Sequence, residues 1–213
     1  MRNVLANLGN IPVTSSVIAS FFPEIKAKAA KISSLEKSGE IMRLRRNLFV
    51  LTPSESGTAL SMGLIANHLL SPSYVSMHTA LRHYGLIPEA VYTIQSMTFK
   101  EPKAYETPIG NFVYRHTPKE AYPIGLTQAR DGDAQYIIAT PEKALCDLIA
   151  NTPGVNLRYQ RDALLFLEAD LRFDMERFFK FSPEVFERYA AVGKKTTSIL
   201  TILKMLNNER HLR

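Results

Sequence analysis

The chain has 213 residues, of which 46% are hydrophobic and 22% charged, and these are ordinary values for a globular protein. This length is enough for one large domain, or for a small domain followed by a larger one. No apolar run approaches the ~20 residues that a membrane-spanning helix needs, and the first residues lack the apolar core of a signal peptide. We therefore expect a cytoplasmic protein with no membrane partner.

Positive charge is concentrated in the first quarter of the chain. Residues 1–52 contain eight Lys or Arg and three Glu, a net charge of +5, whereas residues 53–213 contain 18 basic and 17 acidic residues. This asymmetry predicts a polyanionic partner for the first quarter alone.

Residues 1–52 are predicted to form three helices followed by a hairpin. Gly9 and Gly39 are good stops for the first and third helices, and Thr14 or Ser15 caps the second. The predicted elements are helices at 3–9, 14–21 and 25–38 and strands at 40–44 and 48–51. This order is that of a winged helix-turn-helix.

The third helix carries the main functional argument. At about 100° per residue, its apolar side is predicted to contain Ile25, Ala29, Ile32 and Leu35. The opposite side is predicted to contact DNA and contains Lys26, Ala27, Ala30, Lys31, Ser34 and Lys37. Small residues let a helix enter a major groove only ~12 Å wide, while lysines suit phosphates. The alternative is a solvated helix with no nucleic-acid role.

Three arginines at the hairpin strengthen the DNA-binding interpretation. Arg43, Arg45 and Arg46 lie at or near the turn, where a wing can place them along the DNA backbone or in the minor groove. A charged turn that keeps a strand edge soluble is the alternative. A basic helix followed at once by a basic hairpin favours DNA binding.

The rest of the chain is predicted to form a mixed α+β domain with a helical C-terminal tail. The polar stretch 53–58 is the predicted boundary, which gives a DNA-binding domain of residues 1–55 and a second domain of residues 56–213. Predicted elements of the second domain are helices at 59–70, 74–84 and 141–150, strands at 91–94, 111–114 and 135–139, and three or four helices after Leu157.

The chain lacks the usual signatures of an enzyme. It contains no His-Glu-Xaa-Xaa-His motif and no phosphate-binding glycine loop, so neither catalytic residues, a metal nor a cofactor is predicted. The single cysteine, Cys146, is predicted to be a buried residue of an apolar helix. Lys143 and Asp147 can pair at i, i+4. Because nucleases use acids and a lysine, an enzyme that acts on nucleic acid with acids in 101–147 remains an alternative.

A second polar patch is predicted beside the strands of the second domain. Its members are Arg82, Arg115 and His116.

Three segments of residues 1–150 resemble the AbiE-type (AbiEi-like) antitoxins, transcriptional regulators of type IV toxin–antitoxin systems associated with abortive phage infection. The segments are the end of the winged helix at 39–51, the stretch 74–89 with the strands that follow it to His116, and 139–147. The most specific motifs are Tyr-Gly-Leu-Ile-Pro-Glu at 84–89 and Thr-Pro-Glu-Lys-Ala at 140–144.

The resemblance implies two roles. The N-terminal module would bind double-stranded operator DNA and repress its own operon, and the second domain would counter a nucleotidyltransferase-like toxin encoded in that operon. The family's wing often carries Arg-Gly-Xaa-Tyr, where this chain has Arg46-Asn47-Leu48-Phe49. Asn tolerates a left-handed turn, so the hairpin is expected to remain. A DNA-tethered interaction protein without antitoxin activity is a further alternative.

Overall fold

The structure, a computed structural model, describes the backbone of residues 4–211 and the side chains of residues 4–208. Asn3, at which the first helix was predicted to begin, lies outside the described residues. The chain has a mixed α+β fold, as predicted. Its elements in chain order are a 3₁₀ turn Ala6–Leu8, α1 Ser15–Ser20, α2 Lys28–Lys37, β1 Ile41–Arg45, β2 Leu48–Leu51, α3 Pro53–Ser56, α4 Met62–Leu69, β3 Tyr74–Val75, α5 Met77–His83, β4 Thr93–Thr98, β5 Lys103–Thr107, β6 Gly110–His116, β7 Leu126–Asp131, β8 Ala134–Ala139, α6 Pro141–Asn151, α7 Gln160–Leu165, a π-helical turn Phe166–Asp170, α8 Met175–Phe178, α9 Pro183–Val192 and α10 Thr196–His211.

The third predicted helix is shorter than expected, which corrects its start. α2 begins at Lys28 rather than at Ile25. The Ile25 amide donates to the Phe22 carbonyl and the Lys28 amide donates to the Lys26 carbonyl. Two turns therefore occupy residues that the apolar spacing assigned to the helix. The Lys28 ammonium also donates to the Phe22 carbonyl, which holds this bend against the start of α2.

The predicted hairpin is present. β1 and β2 pair antiparallel, and Arg45 lies opposite Leu48 across a two-residue turn. Asn47 in this turn has φ 61°, the left-handed conformation that Asn tolerates. An isolated bridge from Val13 to Phe49 adds a short extended segment to the hairpin.

A small apolar core joins α1, α2 and one side of the hairpin. Burial of these side chains accounts for the packing of the short N-terminal elements, since isolated helices of this length are not stable in water. Its buried members are Leu5, Val13, Ile18, Ile32, Leu35, Ile41, Phe49 and Leu51. We call this cluster the N-terminal core.

The remaining chain surrounds a six-stranded mixed sheet with the strand order β5-β6-β4-β3-β8-β7. Tyr74 and Arg115 both pair with Met97, so they share a face, and the neighbouring Tyr114 lies on the other. The Tyr74 hydroxyl donates to Asp147 of α6, and the Tyr114 hydroxyl donates to the Ala66 carbonyl of α4. α6 and α4 therefore cover opposite faces of the sheet.

Three strands were not predicted, each for an identifiable reason. β5 and β7 are the two edge strands, and most of their side chains are exposed or half-buried, so they lack the apolar alternation that identifies a strand. The helix predicted over 74–84 is wrong at its start, because Tyr74 and Val75 form β3, buried between β4 and β8. The predicted strands 111–114 and 135–139 lie within β6 and β8, whereas 91–94 overlaps β4 only at Thr93 and Ile94.

The helical parts of the second domain largely match the prediction. α6 begins at Pro141, as predicted, extends one residue beyond the predicted end at Ala150, and is capped by the Thr140 hydroxyl. The tail beyond Leu157 contains α7 to α10. None of the helices within residues 4–211 has the length and apolar content required to cross a membrane.

The hairpin contributes to two cores at once. Leu44, Leu48 and Val50 belong to the large core of the second domain, whereas the alternate positions of the same strands face the N-terminal core. The Asn10 side-chain amide also donates to the Ala59 carbonyl at 2.8 Å. The hairpin, which directly precedes the predicted boundary at 53–58, therefore packs against both cores.

Candidate nucleic-acid interface

The outward face of α2 consists mainly of small side chains. Ile32 and Leu35 are buried against the N-terminal core, as predicted. The exposed positions are Ala29, Ala30, Ser33, Ser34 and Lys37. Ala29 was assigned to the apolar side, and its exposure shows that this assignment is wrong. α2 begins at Lys28, three residues later than predicted, so Ile25 is not part of the helix and does not extend its apolar side to Ala29.

The lysines border this face rather than occupying its centre. Lys26 and Ala27 precede α2 and are exposed. Lys31 lies on the flank, with its ammonium 4.8 Å from the centroid of the Phe22 ring. The predicted face therefore divides into a small-residue centre, with Ala30 and Ser34, and a basic margin, with Lys26, Lys31 and, at the last residue of α2, Lys37.

The three hairpin arginines have different environments. Arg43 forms a two-point contact with Glu36, with Nε–Oε1 at 2.9 Å and Nη2–Oε2 at 2.5 Å, and its guanidinium lies over the Phe49 ring. This hydrogen bond lowers the pKa of Glu36 and raises that of Arg43. Arg45 donates from Nε to the Leu69 carbonyl of α4 at 3.1 Å.

Arg46 is the hairpin arginine whose side chain has no bonding partner in the described part of the chain. It lies at the turn and is exposed. It lines a groove of about 620 Å³ between α1, α2 and the hairpin, together with Lys28, Arg43 and small polar side chains. None of the described residues that line this groove is acidic. We call it the N-terminal groove.

The hairpin turn is tied to the start of α1. The Ser15 amide donates to Asn47 Oδ1 at 3.2 Å, and the Ser15 hydroxyl donates to the same oxygen. The left-handed turn that Asn47 adopts directs its side chain to this position. This link fixes the groove wall that carries Arg46 relative to the helices, and no signal in the sequence predicted it.

The second predicted polar patch is not a single surface. Arg82 donates from Nη1 to the Pro88 carbonyl at 3.2 Å, beside the end of α5. Arg115 and His116 instead line a separate groove that Lys103 and Lys194 also line. Sequence reasoning missed both lysines, because Lys103 belongs to β5, a strand that was not predicted, and Lys194 is far from β6 in the chain.

The pair Lys143–Asp147 forms as predicted but is wholly buried. Lys143 Nζ lies 3.4 Å from Asp147 Oδ1, and both side chains have 0% exposure. Desolvation raises the pKa of Asp147, although Lys143 and hydrogen bonds oppose that shift. A pair enclosed in this way contacts no substrate, which removes the most suggestive catalytic residues from consideration.

The other candidate reactive groups are also structural. Cys146 is buried in α6, as predicted, and burial raises the pKa of its thiol. Among the described residues, no cluster of three or more His, Cys, Asp or Glu side chains is arranged to hold a metal ion.

Comparison with known proteins leaves the family open. No protein-family model matches the chain, and no curated protein matches it either.

Proposed function

We propose that this protein binds double-stranded DNA through its N-terminal helices and hairpin, acting as a winged helix-turn-helix transcriptional regulator. The observation that carries the proposal is the exposed small-residue face of α2, which lies beside a groove lined by three cations and by no described acidic residue.

The dimensions of α2 suit insertion into a major groove. An α-helix with its side chains is about 10–12 Å in diameter, and a major groove is ~12 Å wide. The exposed alanines keep the helix narrow, while Ser33 and Ser34 offer hydroxyls to phosphates or base edges. Lys26 and Lys31 at the margins are then placed for the phosphates that border the groove.

The hairpin supplies the backbone contact. Arg46 is exposed and is held at the turn by the Asn47–Ser15 link. A guanidinium in this position suits phosphate oxygens or a narrow minor groove. Arg43 is already partly neutralised by Glu36, and Arg45 is occupied by the Leu69 carbonyl. Arg46 is therefore the hairpin residue on which we expect DNA binding to depend most.

The regulatory and antitoxin roles rest on the resemblance to AbiE-type antitoxins. We propose autorepression through an operator in the chain's own operon, with the second domain countering a nucleotidyltransferase-like toxin. Co-expression with the product of the adjacent gene tests the antitoxin role. If that product inhibits growth equally with and without this chain, the protein is a regulator without antitoxin activity.

The DNA-binding proposal is tested by Ala30→Glu. Glu is a good helix former and Ala30 is exposed, so the melting temperature should stay nearly unchanged. The new carboxylate would face phosphates and acceptor-rich base edges, so duplex affinity should fall by about tenfold or more. Binding is measured by titration of duplex DNA from the chain's own upstream region at several salt concentrations.

Ala191→Glu is the matched control, because Ala191 is an exposed alanine of another helix, α9. This variant should bind duplex DNA as the unaltered chain does. Unchanged binding by folded Ala30→Glu protein would exclude α2 as the reading helix.

A further inference from the structure

A second basic groove lies on the α6 side of the β5–β6 edge of the sheet. It has a volume of about 430 Å³. Its basic lining residues are Lys103, Arg115, His116 and Lys194, and none of the described residues that line it is acidic. Lys103 pairs with Tyr114, so Lys103 and His116 occupy strand positions on the other face from Arg115, and Arg115 and Lys194 supply the charge on the α6 side. We call it the sheet-edge groove.

Strand pairing forms the floor of this groove. Ala104 of β5 lies opposite Val113 of β6, and Arg115 follows Val113 by two residues, so these side chains share one face. That face is the one covered by α6, because Arg115 pairs with Met97 and Met97 pairs with Tyr74. The floor is thus small and apolar, with a guanidinium at one end.

The last residue of α6 forms part of the wall. Asn151 donates from its side-chain amide to the Asp147 carbonyl at 2.9 Å, which fixes its orientation at the helix end. Asp147 is itself held by hydroxyls of Tyr74, Ser76 and Tyr189. This wall of the groove is therefore connected through Asp147 to the buried hydrogen-bond network of the large core.

The turn between α9 and α10 holds Lys194 in place. Gly193 packs so closely on the ring of Tyr189 that a Cβ at this position would lie 2.3 Å from a ring carbon. Lys195, in a left-handed conformation, donates to the carbonyls of Thr152 and Val155 at 2.6 and 2.8 Å. With both neighbours fixed, the exposed Lys194 is presented to the groove by a rigid turn.

These cations are not neutralised within the protein. Arg172, Lys180 and Arg188 each contact a carboxylate. In the described part of the chain, by contrast, the side chains of Arg115, His116 and Lys194 have neither a carboxylate nor a carbonyl partner, while Lys103 contacts the ring of Tyr105 on the other face of the sheet. Arg115 and Lys194 thus line the α6 side of the groove with two permanent positive charges and no counter-charge, and a bound anion would compensate them.

We propose that the sheet-edge groove binds phosphate groups, from either a nucleotide or a single nucleic-acid strand. The guanidinium of Arg115 and the ammonium of Lys194 can together bind the oxygens of one phosphate or of two linked phosphates. The volume lies within the range of small-molecule sites, and the apolar floor offers a surface to a base or sugar. This site is separate from α2 and the hairpin, so it does not depend on the proposed operator binding.

The test uses the full chain with Arg115→Glu and Lys194→Glu combined. Both residues are exposed, so the variant is expected to fold. Isothermal titration at low salt measures binding of tripolyphosphate, ATP and an eight-nucleotide oligothymidylate. The oligonucleotide is titrated in an Ala30→Glu background, which blocks the α2 face. We expect at least one of these probes to bind the starting chain and to bind the double variant about tenfold or more weakly.

Lys204→Glu is the matched control, because Lys204 is an exposed lysine of α10 that does not line the groove. Its affinity should equal that of the unaltered chain. Binding of ATP or tripolyphosphate identifies a nucleotide-type site, and binding of the oligonucleotide alone identifies a strand-binding site. The proposal is overturned if no phosphate probe binds, if Lys204→Glu weakens binding equally, or if polyglutamate binds as tightly as the phosphates.

Discussion

The two cores of this protein are built on different principles. Among described residues 4–52, Asn10 is the one buried polar side chain, and the described lysines and arginines lie outside the N-terminal core. The large core instead contains Lys143 and Asp147, both with 0% exposure. In the N-terminal region the cations can therefore contact a partner. In the large core, Lys143 and Asp147 contact each other and are closed to solvent.

The buried pair persists because its polar atoms have partners. The Asp147 carboxylate accepts hydrogen bonds from Tyr74, Ser76 and Tyr189, and Lys143 donates to the Ala121 carbonyl at 2.8 Å. This network joins β3, α6, α9 and the loop before β7, so it orders segments that are distant in the chain. Such a network stabilises only while it is complete.

Removing one member of the network should give the largest effect. In Asp147→Ala, the ammonium of Lys143 would stay buried without its carboxylate, and we expect a loss of about 4 kcal/mol in the free energy of unfolding. Denaturant titration followed by far-UV circular dichroism measures this loss.

The double variant Lys143→Met with Asp147→Leu provides the control. It removes both charges and fills similar volume, so it should recover much of the lost stability. If the double variant is no more stable than Asp147→Ala, hydrogen bonding by the carboxylate rather than charge compensation dominates the network.

The hairpin allows a direct comparison of the two cores. Leu48 and Leu51 lie on the same strand, both buried, but Leu48 packs in the large core and Leu51 in the N-terminal core. Either change to Ala should cost about 3 kcal/mol, because each leaves a cavity.

Amide hydrogen exchange tests whether destabilising one core also destabilises the other. We expect either variant to weaken amide protection in both α2 and α6, since β2 is common to both cores. Loss of protection in α2 alone for Leu51→Ala, with α6 unaffected, would instead support the predicted division into independent domains at 53–58.

The smallest effect is expected at the pair that restrains Arg43. Glu36→Gln removes a negative charge beside the N-terminal groove and frees the guanidinium, so duplex DNA should bind a few-fold more tightly. Stability should change by less than ~1 kcal/mol, because the pair is partly exposed. Titration of duplex DNA at several salt concentrations measures the change, and weaker binding would show that the pair positions Arg43 rather than restraining it.

The pH dependence of this pair has a definite sign. Arg43 lowers the pKa of Glu36, so any stabilisation by the pair is present above the ordinary pKa of a glutamate and is lost as pH falls through the lowered value. Glu36→Gln should show no such loss on acidification.

Local features of the fold followed from local sequence. Asn47 accommodates a left-handed hairpin turn, and Pro141 after Thr140 begins α6, because backbone preference and capping depend on adjacent residues. The Lys143–Asp147 pairing followed from helical spacing in the same way. The sequence also determined the accumulation of positive charge in residues 1–52, which no folding event alters.

Tertiary structure decided where those charges point and which of them meet. Helical spacing placed Lys143 and Asp147 together but gave no indication that α9 and β3 enclose them. Contacts with Leu69 and Glu36 occupy two of the hairpin arginines and leave Arg46 exposed. These outcomes depend on carbonyls and carboxylates supplied by other elements, and only the folded chain brings those groups within hydrogen-bonding distance.

The sheet-edge groove is the clearest case. Arg115 and Lys194 are 79 positions apart and line the same groove because the α9–α10 turn lies beside the end of α6. Edge strands such as β5 carry little apolar pattern, since one of their sides has no neighbouring strand and their side chains are largely exposed. The sequence therefore contained the charges, but long-range strand pairing and helix packing decided that they face a common groove.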